Sequence, residues 1–163
     1  MNNLQSNGHG SSSGLSAERP LMIRGVRGAT TVENDDPDEV LEATRELLTM
    51  LVRVNGINID DIASIVLTTT EDLTSTYPAF AARQMGWFDL ALLCTHEMNV
   101  QDGMPLCIRV LIHWNTTKGQ KEIGHVYLRK AKALRPDRDN IPPIRPVQMN
   151  NMEAAMKVLA QNR

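Results

Sequence analysis

The side chains with the most chemical potential in this chain are Arg27, Arg83, Arg109 and Arg135, together with Glu97, Cys94 and Tyr127. No nucleophile stands beside an evident base. His96-Glu97 opens like a zinc-protease motif, but Val100 occupies the place of the second histidine. The glycines at 25 and 28 fit neither a dinucleotide fingerprint nor a phosphate loop. Cys94 and Cys107 lack the spacing of a zinc site or a redox pair, and read as two buried free thiols. What remains is a set of arginines near strands or strand ends, with few polar companions. Arginine grips carboxylates through paired, charge-assisted hydrogen bonds, so the set suits a small polyanion. Taken singly, each residue has an ordinary alternative. Arg27, Arg83 and Arg135 suit surface or ion-pair roles, Glu97 suits a partner for one of them, and Cys94 and Tyr127 suit packing.

The element that must position the most telling of these is Leu106 to Trp114. Its β-branched and bulky apolar residues, without Gly or Pro, read as a strand. Alternation puts Cys107, Arg109, Leu111 and His113 on one face and Ile108, Val110, Ile112 and Trp114 on the other. Both faces are largely apolar, so both are expected to be covered. Arg109 is the misfit. A guanidinium cannot shed its charge, and burying it unpaired costs on the order of several kcal/mol. Either a carboxylate of the fold pairs with it, or it lines a site that an anionic ligand fills. The strand alone leaves both open.

Around this strand the rest of the domain falls into place. Met22 to Val32 reads as a first strand, whose glycines mark a bulge or a close backbone approach. In a regular strand Arg24 and Arg27 face opposite sides; a bulge would change that. Asp36-Pro37-Asp38-Glu39 starts a helix, with Asp36 as N-cap, Pro37 at the first helical position and Glu39 completing a capping-box pattern. Leu41, Thr44, Leu47, Leu48, Leu51 and Val52 form its inner stripe, and Asn55-Gly56 ends it. Ile62 to Thr70 is a second strand, so the long helix implies a parallel crossover. A polar loop leads to a short helix from Tyr77-Pro78 to Met85, then a third strand at Leu90 to Cys94. Gly124 to Leu128 is expected to return as the second strand of a hairpin with the Arg109 strand.

The chain has 163 residues, 42% apolar and 22% charged, which suits one soluble domain with a real core. A net charge of -2 argues against a general nucleic-acid or membrane-surface binder. No apolar run approaches the roughly 20 residues of a membrane helix. The N-terminus lacks a basic-then-apolar signal, so the expected location is cytoplasmic. Residues 1–20, rich in Asn, Ser and Gly, read as a flexible tail. The folded body is expected over 21–139. Residues 140–163 form an extension in which Met152, Ala155, Met156 and Leu159 mark a short amphipathic helix.

Several blocks in order carry a resemblance. They are Ile23-Arg24-Gly25-Val26-Arg27-Gly28-Ala29-Thr30-Thr31-Val32-Glu33; Asp72-Leu73 with Tyr77-Pro78-Ala79 and Arg83; Cys94 with Glu97-Met98; Cys107-Ile108-Arg109-Val110; His125-Val126-Tyr127-Leu128; and Leu134-Arg135-Pro136-Asp137. Together they resemble the monofunctional, trimeric α/β-type chorismate mutases of the AroH class, from about Met22 to Asp137. The resemblance implies an α+β fold: a mixed β-sheet with two main helices packed on it, assembled as a homotrimeric pseudo-α/β-barrel with active sites at subunit interfaces. It implies the rearrangement of chorismate to prephenate on the route to phenylalanine and tyrosine, without a cofactor or metal. The step is unimolecular and pericyclic. The enzyme holds a flexible dianion in a compact conformer and stabilises charge as the ether bond breaks.

Roles then follow by position. Arg109 matches the arginine facing the ether oxygen, and Glu97 the acid that accepts from the ring hydroxyl, with the Cys94 thiol beside it. Arg27 and Tyr127 match carboxylate-binding groups. Tyr77 stands where the family often has a phenylalanine against the substrate ring. Arg83 and Arg135 match basic residues near the mouth. Phe80 departs from the pattern, since some relatives carry a lysine there. Two other readings compete: a trimeric Rid-type imine hydrolase, which also has a strand arginine for a substrate carboxylate, and a non-enzymatic carboxylate-binding module.

Overall fold

The computed structural model describes residues 19–136. The expectations for the N-terminal tail up to residue 18 and for the C-terminal extension lie outside the described residues. Arg19 already pairs with Glu122, just before the expected start of the folded body.

Five strands form one mixed sheet. They are β1 (Met22–Thr31), β2 (Ile62–Thr69), β3 (Leu92–His96), β4 (Cys107–Thr116) and β5 (Val126–Tyr127), in the order β3-β2-β4-β1-β5. Helix α1 (Pro37–Asn55) joins β1 to β2, and the short α2 (Ala79–Gln84) lies between β2 and β3. Strands β1 and β2 do run parallel, as the long helix implies. They are not neighbours, however, because β4 lies between them and pairs antiparallel with both. The expected hairpin is also corrected. Strand β5 pairs with β1, parallel, through Gly28↔Val126 and Ala29↔Tyr127. The Arg27 backbone N–H donates to His125 Nδ1 at 3.1 Å, which helps seat the approach to β5 beside β1 instead of β4.

Helix α1 forms where its residue pattern requires. The Asp36 carboxylate accepts from the backbone N–H groups of Asp38 and Glu39, and Pro37 occupies the first turn. The helix ends at Gly56, whose φ of 66° is the left-handed conformation that glycine adopts most readily. Glu39 does not close a capping box on Asp36. Its carboxylate reaches further back, to the backbone N–H groups of Glu33 and Asn34, and so fastens the loop that enters the helix. Val40, Ala43, Leu47, Leu48 and Leu51 are buried against the sheet. Burial of each leucine contributes about 2 kcal/mol.

The sheet meets this helix through Val26, Ile65, Leu67, Val110, Ile112 and Trp114. Pairing of β1 with β4 is continuous over ten residues, so there is no bulge and Arg24 and Arg27 do face opposite sides. Gly28 is the close approach that its strand position suggested. A Cβ there would sit 2.9 Å from Leu47 Cδ1 and 3.0 Å from both Leu51 Cδ1 and the Val126 carbonyl oxygen. Gly28→Ala is therefore expected to cost about 1–3 kcal/mol through overpacking, seen as a lower midpoint in denaturant unfolding. An unchanged midpoint would mean that helix and sheet separate more easily than this packing implies.

The two faces of β4 differ, contrary to the expectation that both are covered. One lies under α1. The other carries Arg109, Leu111 and His113, all half-exposed within the chain, beside Val66 of β2 and the exposed Leu93 of β3. The described chain has one long helix, and it covers one face only.

Candidate active site

The open face is where five of the eight expected site residues gather. Arg27 from β1, Arg109 from β4, Tyr127 from β5, Arg135 after the last 3₁₀ turn and Glu97 after β3 line one cavity of about 360 Å³. Thr68 and Leu111 complete its floor. Three arginines against one carboxylate make it an anion-attracting pocket of small-molecule size.

Arg109 has a carboxylate partner in the fold and also lines the cavity. Its Nε lies 3.3 Å from Glu97 Oε2, close enough to pair charges but out of line for a hydrogen bond. The side chain keeps 41% of its surface exposed, toward the cavity. The Thr68 hydroxyl donates to the same Glu97 oxygen at 2.9 Å. Register explains the grouping, since Thr68 of β2 sits directly opposite Arg109 of β4. The start of β4 is held as well. Leu106 has φ of 51°, and its N–H donates to Asp72 Oδ2 while its carbonyl accepts from Val32 N–H. Cys107, on the Arg109 face, is buried with Ala29, Tyr127 and Ala131. Burial pushes its thiol pKa up, opposed by the Arg109 guanidinium.

Cys94 and Tyr77 are elsewhere. They line a second cavity, of about 530 Å³, with Phe80, His96 and the Thr74–Thr76 loop. Cys94 pairs with Leu67, whose side chain belongs to the α1 side of the sheet, so the thiol points away from the Arg109 pocket. The expected neighbourhood of Cys94 and Glu97 within one chain is thereby corrected. The two residues are three apart, and the sheet lies between their side chains. Burial pushes the Cys94 thiol up, opposed by a hydrogen bond from the Ala79 backbone. Tyr77 and Phe80 meet edge to face, with ring centroids 6.0 Å apart. Arg83 lies in α2, and its guanidinium donates to the carbonyls of Trp87 and Phe88, closing the turn after that helix. Among the described residues, no three His, Cys, Asp or Glu side chains gather to hold a metal ion.

A carboxylate that the sequence did not single out shapes the second cavity. Asp35 accepts from Thr74 N–H, Thr74 Oγ1 and Ser75 N–H, anchoring the loop that leads to Tyr77. Partial desolvation would raise its pKa, but the hydrogen bonds from Ser75 and Thr74 outweigh it and hold the group at about 2, below the ordinary 3.8. A depressed folded-state pKa stabilises the fold fully above the unfolded value, and the contribution fades as pH falls through the folded one. Asp35→Ala is thus expected to lower the thermal midpoint at pH 6. The gap from the native chain should close between about pH 4 and pH 2, as thermal melts across that range will show. A gap that does not change with pH would assign the loss to packing instead of charge.

A mixed sheet backed by one long helix, with arginines and a single acid converging on its open face, defines a binder of small organic anions. Comparison with known proteins is specific. Residues 23–138 match the family model described as chorismate mutase type I. The chain is 50% identical over 117 residues to chorismate mutase AroH of Thermus thermophilus, covering 71% of this chain and 96% of that protein. It is 42% identical over 118 residues to chorismate mutase AroH of Bacillus subtilis (strain 168), covering 72% and 93% respectively. A solved chorismate mutase from Clostridium thermocellum superposes with a TM-score of 0.67 at 46% identity, over 68% of this chain and 99% of its own. The chain belongs to the type I chorismate mutase family.

Proposed function

We propose that this chain rearranges chorismate to prephenate, on the route to phenylalanine and tyrosine, as a cytoplasmic homotrimer with active sites between subunits. The observation that carries the reading is the convergence of Arg27, Arg109, Arg135, Glu97 and Tyr127 on one cavity. The substrate is a dianion with two carboxylates, an ether oxygen and a ring hydroxyl. Arg27 and Tyr127 are suited to the carboxylates, and Arg135 draws the dianion inward. Glu97 accepts from the hydroxyl. Arg109 meets the ether oxygen as its bond to carbon lengthens and negative charge grows there. No proton has to move and no covalent intermediate forms, so the contribution of the residues is orientation and fixed charge.

The homotrimer is supported by the division of the site. Tyr77 and Cys94 open on the other side of the sheet from Arg109, so one chain cannot bring both sets to one ligand. A neighbouring copy placed against the open face would present its Tyr77–Cys94 cavity to the Arg109 pocket and cover Leu93 and Leu111. No helix among the described residues is long and apolar enough to cross a membrane.

Chorismate mixed with the purified chain should lose its ultraviolet absorbance and yield prephenate, identified as the product. Failure to form prephenate would overturn the proposal. Tight binding without turnover would point to a carboxylate-binding module, and release of ammonia from an imine substrate to a Rid-type hydrolase.

A further inference from the structure

We infer that Thr68 is a positioning residue that fixes the Glu97 carboxylate for recognition of the substrate's ring hydroxyl. The inference rests on the proposed function and adds a residue to it. Glu97 lies just past the end of β3, anchored by its backbone N–H to the Thr69 carbonyl at 2.8 Å. Nothing in that anchor restrains the side-chain torsions, and a glutamate has three. The restraint comes from two neighbours. Thr68 Oγ1 donates to Oε2 at 2.9 Å, and Arg109 Nε lies 3.3 Å from the same oxygen. Both contacts fall on Oε2, which leaves Oε1 as the acceptor for a ligand hydroxyl.

Thr68 is well chosen for this task. It sits in β2 between β3 and β4, so its backbone is held on both sides. Its β-branched side chain has restricted χ1, which presets the hydroxyl. A carboxylate cannot donate, so the direction of the bond is fixed: Thr68 gives its only proton to Glu97. Without it, Arg109 would be the sole restraint on Glu97 while also facing the ether oxygen.

The test uses the full chain, assembled as purified, with two substrates: chorismate and its analogue lacking the ring hydroxyl. Thr68→Val removes the hydroxyl and keeps the shape. It is expected to lower kcat/KM for chorismate about tenfold, while Thr68→Ser stays within about threefold of the native chain. The decisive readout is discrimination. The preference for chorismate over the analogue should shrink about tenfold in Thr68→Val and persist in Thr68→Ser. Where the analogue does not turn over, its inhibition constant replaces kcat/KM. A merely structural role would depress both ligands equally, and that result overturns the inference, as does native discrimination in Thr68→Val. If Thr68→Val does not fold, Thr68→Ala carries the same comparison. A native chain that makes no prephenate defeats the function itself, whereas an active chain indifferent to Thr68→Val defeats only this inference.

Discussion

Arg109→Ala is expected to lower kcat for chorismate by about 10²-fold or more, with a smaller change in KM. The reason lies in what the guanidinium does at each stage. Before reaction it already pairs with Glu97, so it occupies its place without the substrate. The charge that it stabilises appears only as the ether bond breaks. An interaction that strengthens in the transition state is lost mainly from kcat. The residue is also held by strand pairing on both sides, opposite Ala29 of β1 and Thr68 of β2, so little reorganisation is needed. Arg109→Lys should recover only part of the loss, because a single ammonium cannot face Glu97 and the ligand with the geometry of a planar fork. Steady-state kinetics on both variants, with thermal melts to establish folding, provide the check. A native kcat in Arg109→Ala would remove this residue from the proposed mechanism.

The second large effect concerns mixing. Tyr77→Asp places an anion on the wall of the second cavity and removes its aromatic surface. It is expected to be at least about tenfold impaired, by repulsion of an anionic ligand. Tyr77 is 66% exposed in the chain, so the change should leave the fold intact. When Arg109→Ala and Tyr77→Asp subunits are produced together, each proposed site draws one half from each of two neighbours. Random assembly in equal amounts then makes about one quarter of the sites intact, with both halves native. Activity should rise to about a quarter of the native value from two nearly inactive parents. If both halves belonged to the same chain, every site would carry one defect and mixing would recover nothing. That outcome, measured on mixed trimers purified through two different tags, where about one site in three should be intact, would exclude the shared site.

Much of this was legible from residues whose local physics is decisive. Asp36-Pro37 and Asn55-Gly56 mark the ends of α1 because caps and left-handed glycine act within a turn. The alternation of β4 divided its residues correctly between two faces and set Arg109 apart from Ile108, Val110 and Ile112, but it did not tell that the Arg109 face stays open within the chain. The parity of Arg24 and Arg27 held because no bulge intervenes. What was not legible depends on pairing between distant segments. Periodicity cannot tell that β4 inserts between β1 and β2, or that a two-residue β5 joins β1 instead of β4. Cys94 is instructive. Its resemblance-based place beside Glu97 conflicts with the two cavities that these residues line within one chain, and the proposed subunit boundary would reconcile the two. Thr68 and Asp35 escaped notice because a threonine in a strand and an acid in a loop look ordinary until register and loop closure bring their partners near. For Thr68, a faint signal was present: it falls on the opposite face of β2 from Ile65 and Leu67.

The position of β4 has a consequence for how the protein comes into being. Strands β1 and β2 cannot pair with one another, since each meets β4 along its inner edge. A nascent chain that has not yet reached residue 107 therefore holds two strands with unsatisfied edges and no sheet to join them. Such edges invite pairing with other chains, and contacts between segments so far apart close slowly. The strand that ends this exposure is the one that carries Arg109. Entry of β4 thus joins β1 to β2 and puts Arg109 in place in one event, before β5, Tyr127 and Arg135 complete the sheet edge and the pocket, and mutations that delay it are expected to lower the yield of active protein before they alter its chemistry.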